Sequence, residues 1–183
     1  MKIIMVNGLP QSGKDEFLSL CGVQTCSYAY STIDIVKEHA IKLGWDRKKD
    51  ERGRKFLSDL KKVINEYDDK VLYEPIMKDI KWHLEFLANY VGEEEANKAI
   101  FFIQCREEED IERWKERTGA KSLLIVRPGN RLEWGNKSDD NCGKFDYDYC
   151  LLNQGTLEEW KETGKNFISQ LQAEKWNSRI GEI

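Results

Sequence analysis

The stretch Val6 to Phe17, VNGLPQSGKDEF, sets Gly8 and Gly13 either side of Leu9, Pro10, Gln11 and Ser12, and Lys14 follows the second glycine directly. This G-x-x-x-x-G-K spacing comes straight after an apolar run, Lys2 to Asn7, which is the context a phosphate cradle requires. A turn of this kind points successive backbone N–H groups inward, and the positive end of the next helix favours anionic oxygens. Glycine permits the close backbone approach. The expected nucleotide-phosphate site is therefore Gly8, Leu9, Pro10, Gln11, Ser12 and Gly13, with Lys14 opposing charge on the terminal phosphates during phosphoryl transfer. The plainer alternative is an unrelated glycine-rich surface turn.

Asp15 stands where a hydroxyl usually coordinates magnesium. A carboxylate offers that cation a hard oxygen, directly or through water, so Asp15 is the expected metal residue, with Mg2+ in or near the site. The competing role for Asp15 is a helix-start residue meeting backbone or lysine, with the metal left to water and nucleotide.

The elements that must hold this loop can be read from the apolar pattern. Lys2 to Asn7 reads as a strand covered on both faces, followed by a helix from Lys14 that ends near Gly22. Thr25 to Thr32 favours a short strand, and a helix from Ser31 or Thr32 runs to about Gly44. Asp50 to Tyr67 carries Phe56, Leu57, Leu60, Val63 and Ile64 at helical spacing, with Arg52, Arg54, Lys55 and Lys61 on its basic sides. A further helix is expected after Pro75. Ala99 to Cys105 and Ser122 to Arg127 read as strands around the helix RTG-terminated at Gly119, and DYDYCLLN as a last strand. Thr156 and Glu159 fit a capping box on the final helix. The order predicts an α/β open sheet of about five mainly parallel strands flanked by helices.

The 183 residues suffice for one core that buries about two-thirds of the unfolded surface, and no linker divides them, so one domain over 1–183 is expected. A net charge of -4 argues against a nucleic-acid partner held by a broad basic surface, while short basic clusters leave small anions as ligands. No apolar run suggests a membrane span. The opening MKIIMVNG reads as a core strand rather than a targeting segment, and the five cysteines form no CxxC pair, so a cytoplasmic protein with reduced, mostly core-filling thiols is expected. Small-molecule nucleotides are the expected partners, and a homodimer is left open.

The loop GLPQSGKD resembles the aspartate-ended phosphate loop of deoxynucleoside monophosphate kinases and related nucleoside monophosphate kinases, and animal-type phosphomevalonate kinases share a similar variant. The most useful comparison is the virus-associated deoxynucleoside monophosphate kinase group. IFFIQCREEEDIERWKERTGAKSLLIVRP resembles their later strand-helix-strand segment, and DYDYCLLNQGTLEEW their final strand and helix entry. The resemblance implies a P-loop kinase fold that uses ATP with magnesium and phosphorylates a nucleotide monophosphate. It also implies Arg106 and Arg127 as basic residues around the phosphates, while Gln104 stands where an acidic residue is common.

In such kinases the helices after the second strand often bind the acceptor, so the acceptor region is expected near 31–92, with Asp34 and Arg54 as its residues. Asp34 would otherwise serve a helix start, and Arg54 a solvated face. A guanidinium suits Arg54 to a two-pronged phosphate contact. Arg113 and Arg117 share one helical face, either toward phosphate or in surface salt bridges. The irregular segment near 128–146 is the expected lid, with Arg127 at its start, Arg131 in it, and Trp134 as an adenine stack or a loop anchor. Asn136 to Asp139, NKSD, reads as a polar loop cluster rather than a guanine-recognition motif. His39 and His83 read as packing or surface residues, and Trp82, Phe86, Trp114 and Trp160 as helical packing. Another small-metabolite kinase, or a noncatalytic nucleotide-binding regulator, is the alternative function.

Overall fold

The computed structural model describes residues 1–21, 27–129 and 145–180. Five strands, β1 (Lys2–Asn7), β2 (Ser27–Ser31), β3 (Ile100–Gln104), β4 (Lys121–Val126) and β5 (Tyr149–Leu152), form one open sheet in the order β2-β3-β1-β4-β5. Every pairing is parallel. The helices are α1 (Lys14–Cys21), α2 (Thr32–Lys42), α3 (Glu51–Asp68), α4 (Lys70–Val91), α5 (Glu93–Ala96), α6 (Glu108–Thr118) and α7 (Leu157–Ala173). This is the open, parallel α/β sheet flanked by helices that the strand order predicts.

A parallel sheet needs cover on both faces, and the period-two alternation of the central strands divides their side chains between two cores. Ile3 and Met5 of β1 and Phe101 and Ile103 of β3 pack with Ile76, Met77 and Ile80 of α4 and Ile111 and Trp114 of α6. Ile4, Val6, Ile100 and Phe102 face the other way, against Phe17 of α1 and Trp160, Phe167 and Leu171 of α7. Trp114 and Trp160 are thus packing residues, as their helical spacing predicts. A third cluster, with Val36, Ala40, Leu57 and Leu72, joins α2, α3 and α4.

Several expectations need correction. α4 begins at Lys70, not after Pro75, because Asp69 holds helical angles (φ -67, ψ -15) and links α3 to α4 through one residue. Pro75 lies inside the helix with its ring exposed, and the packing of Leu72, Tyr73, Ile76 and Met77 around it offsets the N–H it cannot donate. Lys61, placed by spacing on a basic solvent side of α3, is buried. Trp82 and Phe86, expected in packing, are 59% and 41% exposed, since α4 turns its core stripe through Ile76, Ile80 and Leu87 instead. Cys105 is buried and Cys150 exposed, so core filling holds for the first and not the second. His83 accepts the packing reading: its Nδ1 lies 2.9 Å from the Tyr30 hydroxyl and its ring centroid 4.1 Å from that of Tyr28. Thr25, Cys26 and most of the 128–146 segment, including Arg131, Trp134 and the NKSD cluster, lie outside the described residues. Among the described residues no helix is long and apolar enough to cross a membrane.

Candidate phosphate-binding site

Because all five strands run the same way, their C-terminal ends gather along one edge of the sheet. Ligand crevices of open α/β sheets lie outside this edge. The Gly8–Gly13 loop leaves β1 there and ends at the first turn of α1. Its conformation depends on two glycines: Gly8 at φ 151 and Gly13 at φ 93 occupy backbone space that side chains disfavour. A Cβ on Gly8 would sit 2.4 Å from the Ile125 carbonyl oxygen, and one on Gly13 would sit 2.2 Å from Asn153 Nδ2. Gln11, at φ 61, forms the exposed tip of the turn.

Long-range hydrogen bonds fix both ends of the loop. At its start, the buried Asn7 amide accepts from Gly8 N at 2.7 Å and donates to the Arg106 carbonyl at 3.0 Å and to the Tyr147 hydroxyl at 2.8 Å. Cys105 N donates to the Val6 carbonyl at 3.1 Å, which holds the β3–α6 connection beside the loop entry. At its end, Asn153 Nδ2 donates to the Ser12 carbonyl at 2.9 Å, and Trp160 Nε1 donates to the Gly13 carbonyl at 3.2 Å. The Thr156–Glu159 capping box orients that part of the chain: Glu159 N donates to Thr156 Oγ1 at 3.3 Å and Thr156 N to Glu159 Oε2 at 2.7 Å. Asn153 was not a sequence candidate. Its only signal was its place between the last strand and a capped helix.

Inside the loop, Lys14 is 5% exposed and its ammonium donates to the Gly8 carbonyl and, at 2.8 Å, to the Leu9 carbonyl. Ser12 is 1% exposed and its Oγ has no hydrogen-bond partner among the described residues. A buried hydroxyl left unpaired costs free energy unless a ligand or water satisfies it. A positive group and an unsatisfied hydroxyl therefore share one turn with the backbone N–H groups at the start of α1, a chemistry matched to phosphate oxygens. Asp15 is exposed in the first turn of α1, where one carboxylate is available to a hard cation.

The other sequence candidates take separate places. Arg106 follows β3, with its carbonyl held by Asn7. Arg127 is exposed directly after β4. Asp34 makes an i,i+3 pair with Lys37 at 2.6 Å on the surface of α2, and Arg54 donates from Nε to the Lys49 carbonyl at 2.9 Å. The Asp34 and Arg54 contacts stay within their own part of the chain, away from the loop.

Beside the same edge lies a charged cluster that the sequence did not announce. The buried Lys61 ammonium pairs with Glu107 and, at 2.8 Å, with Asp110, which also takes Asn65 Nδ2 at 3.0 Å and an Arg113 N–H. Burial would push the Lys61 ammonium down, but the negative neighbours Glu107 and Asp110 more than offset it and hold the pKa above its ordinary value. Burial pushes the Cys105 thiol up to about 12, which leaves it protonated and unsuited to nucleophilic catalysis. Cys105, Glu107 and Asp110 bring potential ligand atoms within 4.8 Å of one another, and Lys61 already supplies the cation at the two carboxylates. Next to them Arg113 and Arg117 converge on Asp69, with both Asp69 oxygens 2.9 Å from Arg117 Nη2. Thr32, Asn65, Tyr73 and these charged groups line a cavity of about 20 Å³, room for about one water.

No protein-family model matches the chain, and no curated protein matches it. Among solved structures, the chain is similar to a dephospho-CoA kinase from Campylobacter jejuni, at 14% identity and a TM-score of 0.45 over 93% of this chain and 97% of that one. It is also similar to TT1252 from Thermus thermophilus, at 16% identity and a TM-score of 0.43, again over 93% of this chain and 97% of that one.

Proposed function

We propose that the chain is a P-loop phosphotransferase that moves the terminal phosphoryl group of ATP onto a nucleoside or deoxynucleoside monophosphate. The observation that carries this reading is the unsatisfied Ser12 hydroxyl, buried in the same glycine-hinged turn as the Lys14 ammonium at the start of a helix. The backbone N–H groups of Leu9, Gln11 and Gly13, with those at the start of α1, serve as donors to the β- and γ-phosphates, and Lys14 exchanges the Gly8 and Leu9 carbonyls for phosphate oxygens. Asp15 would hold magnesium, which would supply neutralisation of phosphate charge. Arg106 and Arg127 oppose charge on the transferring group, and Asp34 and Arg54 hold the acceptor in the 31–92 region. An acceptor phosphate oxygen attacks the terminal phosphorus in line, its bond forms as the bridging oxygen departs with ADP, and a diphosphate results. That oxygen is already anionic, so no general base is needed. The chain works as one domain in the cytoplasm, where ATP is abundant.

A second reading, a nucleotide-binding regulator without transfer, draws support from β3: Gln104 ends the strand, and the acids that follow, Glu107 and Asp110, are engaged by Lys61. The two readings separate in a product-resolved assay with ATP, magnesium and a panel of nucleoside monophosphates, followed by ³¹P NMR. A diphosphate whose formation drops by at least about 10²-fold in Lys14→Met supports the kinase. ATP binding without any phosphorylated acceptor supports the regulator, and a folded protein with no magnesium-dependent affinity for nucleoside triphosphates defeats both.

A further inference from the structure

Asn7 ends β1, where Ile3 to Val6 are apolar and fully buried, and it is itself 1% exposed. An amide buried at the middle of a sheet costs free energy unless its polar atoms find partners. Here they do, and the partners settle which way the amide faces. Gly8 N can only donate, so it meets Oδ1 at 2.7 Å; the Arg106 carbonyl can only accept, so it meets Nδ2 at 3.0 Å. Nδ2 also donates to the Tyr147 hydroxyl at 2.8 Å. The three partners belong to three different connections at the C-terminal edge: the Gly8–Gly13 loop, the β3–α6 link and the residues that enter β5. An aliphatic side chain would fill the same space and leave the three untied.

Tyr147 is itself held from two sides. Its ring meets that of Phe145 edge-on with centroids 4.9 Å apart, and the adjacent Asp148 accepts from Ser122 N and Lys115 Nζ, each at 2.8 Å. Orientation therefore passes from β4 and α6 through Tyr147 to the amide, and from the amide to Gly8 and Arg106. We propose, on the basis of the transferase reading above, that Asn7 is a positioning residue for phosphoryl transfer. It sets the entry of the Gly8–Gly13 loop against the Arg106 backbone, so that phosphate held by the loop lies in register with the Arg106 guanidinium, and Tyr147 fixes the amide that does so. The hold on ATP itself comes from Lys14 and from the Gly13 end, which Asn153 and Trp160 clamp separately. Asn7 thus acts on the transition state more than on binding: a misplacement of about 1 Å between reacting groups costs up to about 10²-fold in rate.

Steady-state kinetics of the full chain with MgATP and the nucleoside monophosphate that yields most diphosphate test this, with a melting temperature for every variant. Asn7→Ala is expected to lower kcat at least about tenfold while the KM for ATP changes less than about threefold. Tyr147→Phe, which keeps the ring, should lower kcat by about three- to fivefold with the same KM. In an Arg106→Ala background both losses should shrink below about twofold, because the group they position is gone. A purely structural amide would move the melting temperature and show neither this split nor this dependence. If Asn7→Ala does not fold, Tyr147→Phe and its double variant with Arg106→Ala decide the matter alone. The proposal is overturned by folded variants with wild-type kcat, by a raised KM for ATP at unchanged kcat, or by losses that multiply fully with Arg106→Ala. A wild type that forms no diphosphate overturns the transferase reading and this role with it, whereas diphosphate formed equally by wild type and variants overturns this role alone.

Discussion

Asn153 and Ser12 lie 141 positions apart, yet the Asn153 side-chain amide donates to the Ser12 carbonyl at 2.9 Å and closes the Gly8–Gly13 loop from outside. The amide nitrogen occupies the space that a side chain on Gly13 would need, so the glycine and the asparagine are one device. Gly13→Ala must expel the amide and also hold φ 93, a strain of about 1–2 kcal/mol for an L residue. Its melting temperature and its affinity for ATP should both fall. Asn153→Ala alone leaves the loop backbone unclamped and should weaken ATP binding with a smaller loss of stability. The double variant should recover part of the Gly13→Ala stability, because the collision is gone. Additive losses, read by calorimetry, would show that the two residues do not act together.

Arg54 and Arg127 separate acceptor from donor in the proposed reaction. Arg54→Ala should raise the KM for the monophosphate several-fold with kcat little changed, whereas Arg127→Ala should lower kcat or raise the KM for ATP. Steady-state kinetics at varied concentrations of both substrates measure this. Two folded variants with wild-type constants would remove both residues from the site.

Lys61 neutralises buried carboxylate. Lys61→Met leaves Asp110, whose side chain is 8% exposed, with Arg113 as its one cation among the described residues, and should cost about 2–4 kcal/mol in urea denaturation. Combining it with Asp110→Asn should return part of that loss. If Lys61→Met is as stable as wild type, the cluster does not hold α3 to α6.

Glu174 supplies a pH dependence. Burial alone would raise its carboxyl, but hydrogen bonds from Tyr149, Gln170, Trp176 and Lys121 outweigh burial and hold it at about 2. Trp176 Nε1 donates at 2.7 Å and Lys121 Nζ at 3.2 Å, which ties the end of the chain to β4 and β5. A depressed carboxylate stabilises the fold fully above its unfolded value of 4.5, and that contribution disappears as pH falls toward 2. Glu174→Gln should therefore be less stable than wild type by about 1–2 kcal/mol at neutral pH, with the gap closing below 4.5. A gap independent of pH would assign the effect to packing.

Much of the fold was legible because its signals are local. The apolar run of β1, the glycine spacing of its loop, the Gly119 end of α6 and the Thr156 capping box each depend on residues within a few positions, and each lies where its pattern predicts. Local reading erred where packing outvoted propensity. Pro75 looked like a helix start until Asp69 took helical angles, and Lys61 looked solvated until α6 brought Asp110 to it.

The amino-acid order alone determined a strand, a glycine-hinged turn and a lysine at the head of a helix, since sterics and hydrogen bonding within a dozen residues suffice for those. Only the tertiary structure decided which distant groups clamp that turn, which acids meet Lys61 and which aromatic face of α4 remains outside. Those outcomes depend on the β2-β3-β1-β4-β5 arrangement of the sheet, and contacts across a hundred positions leave no periodic trace in the chain that makes them.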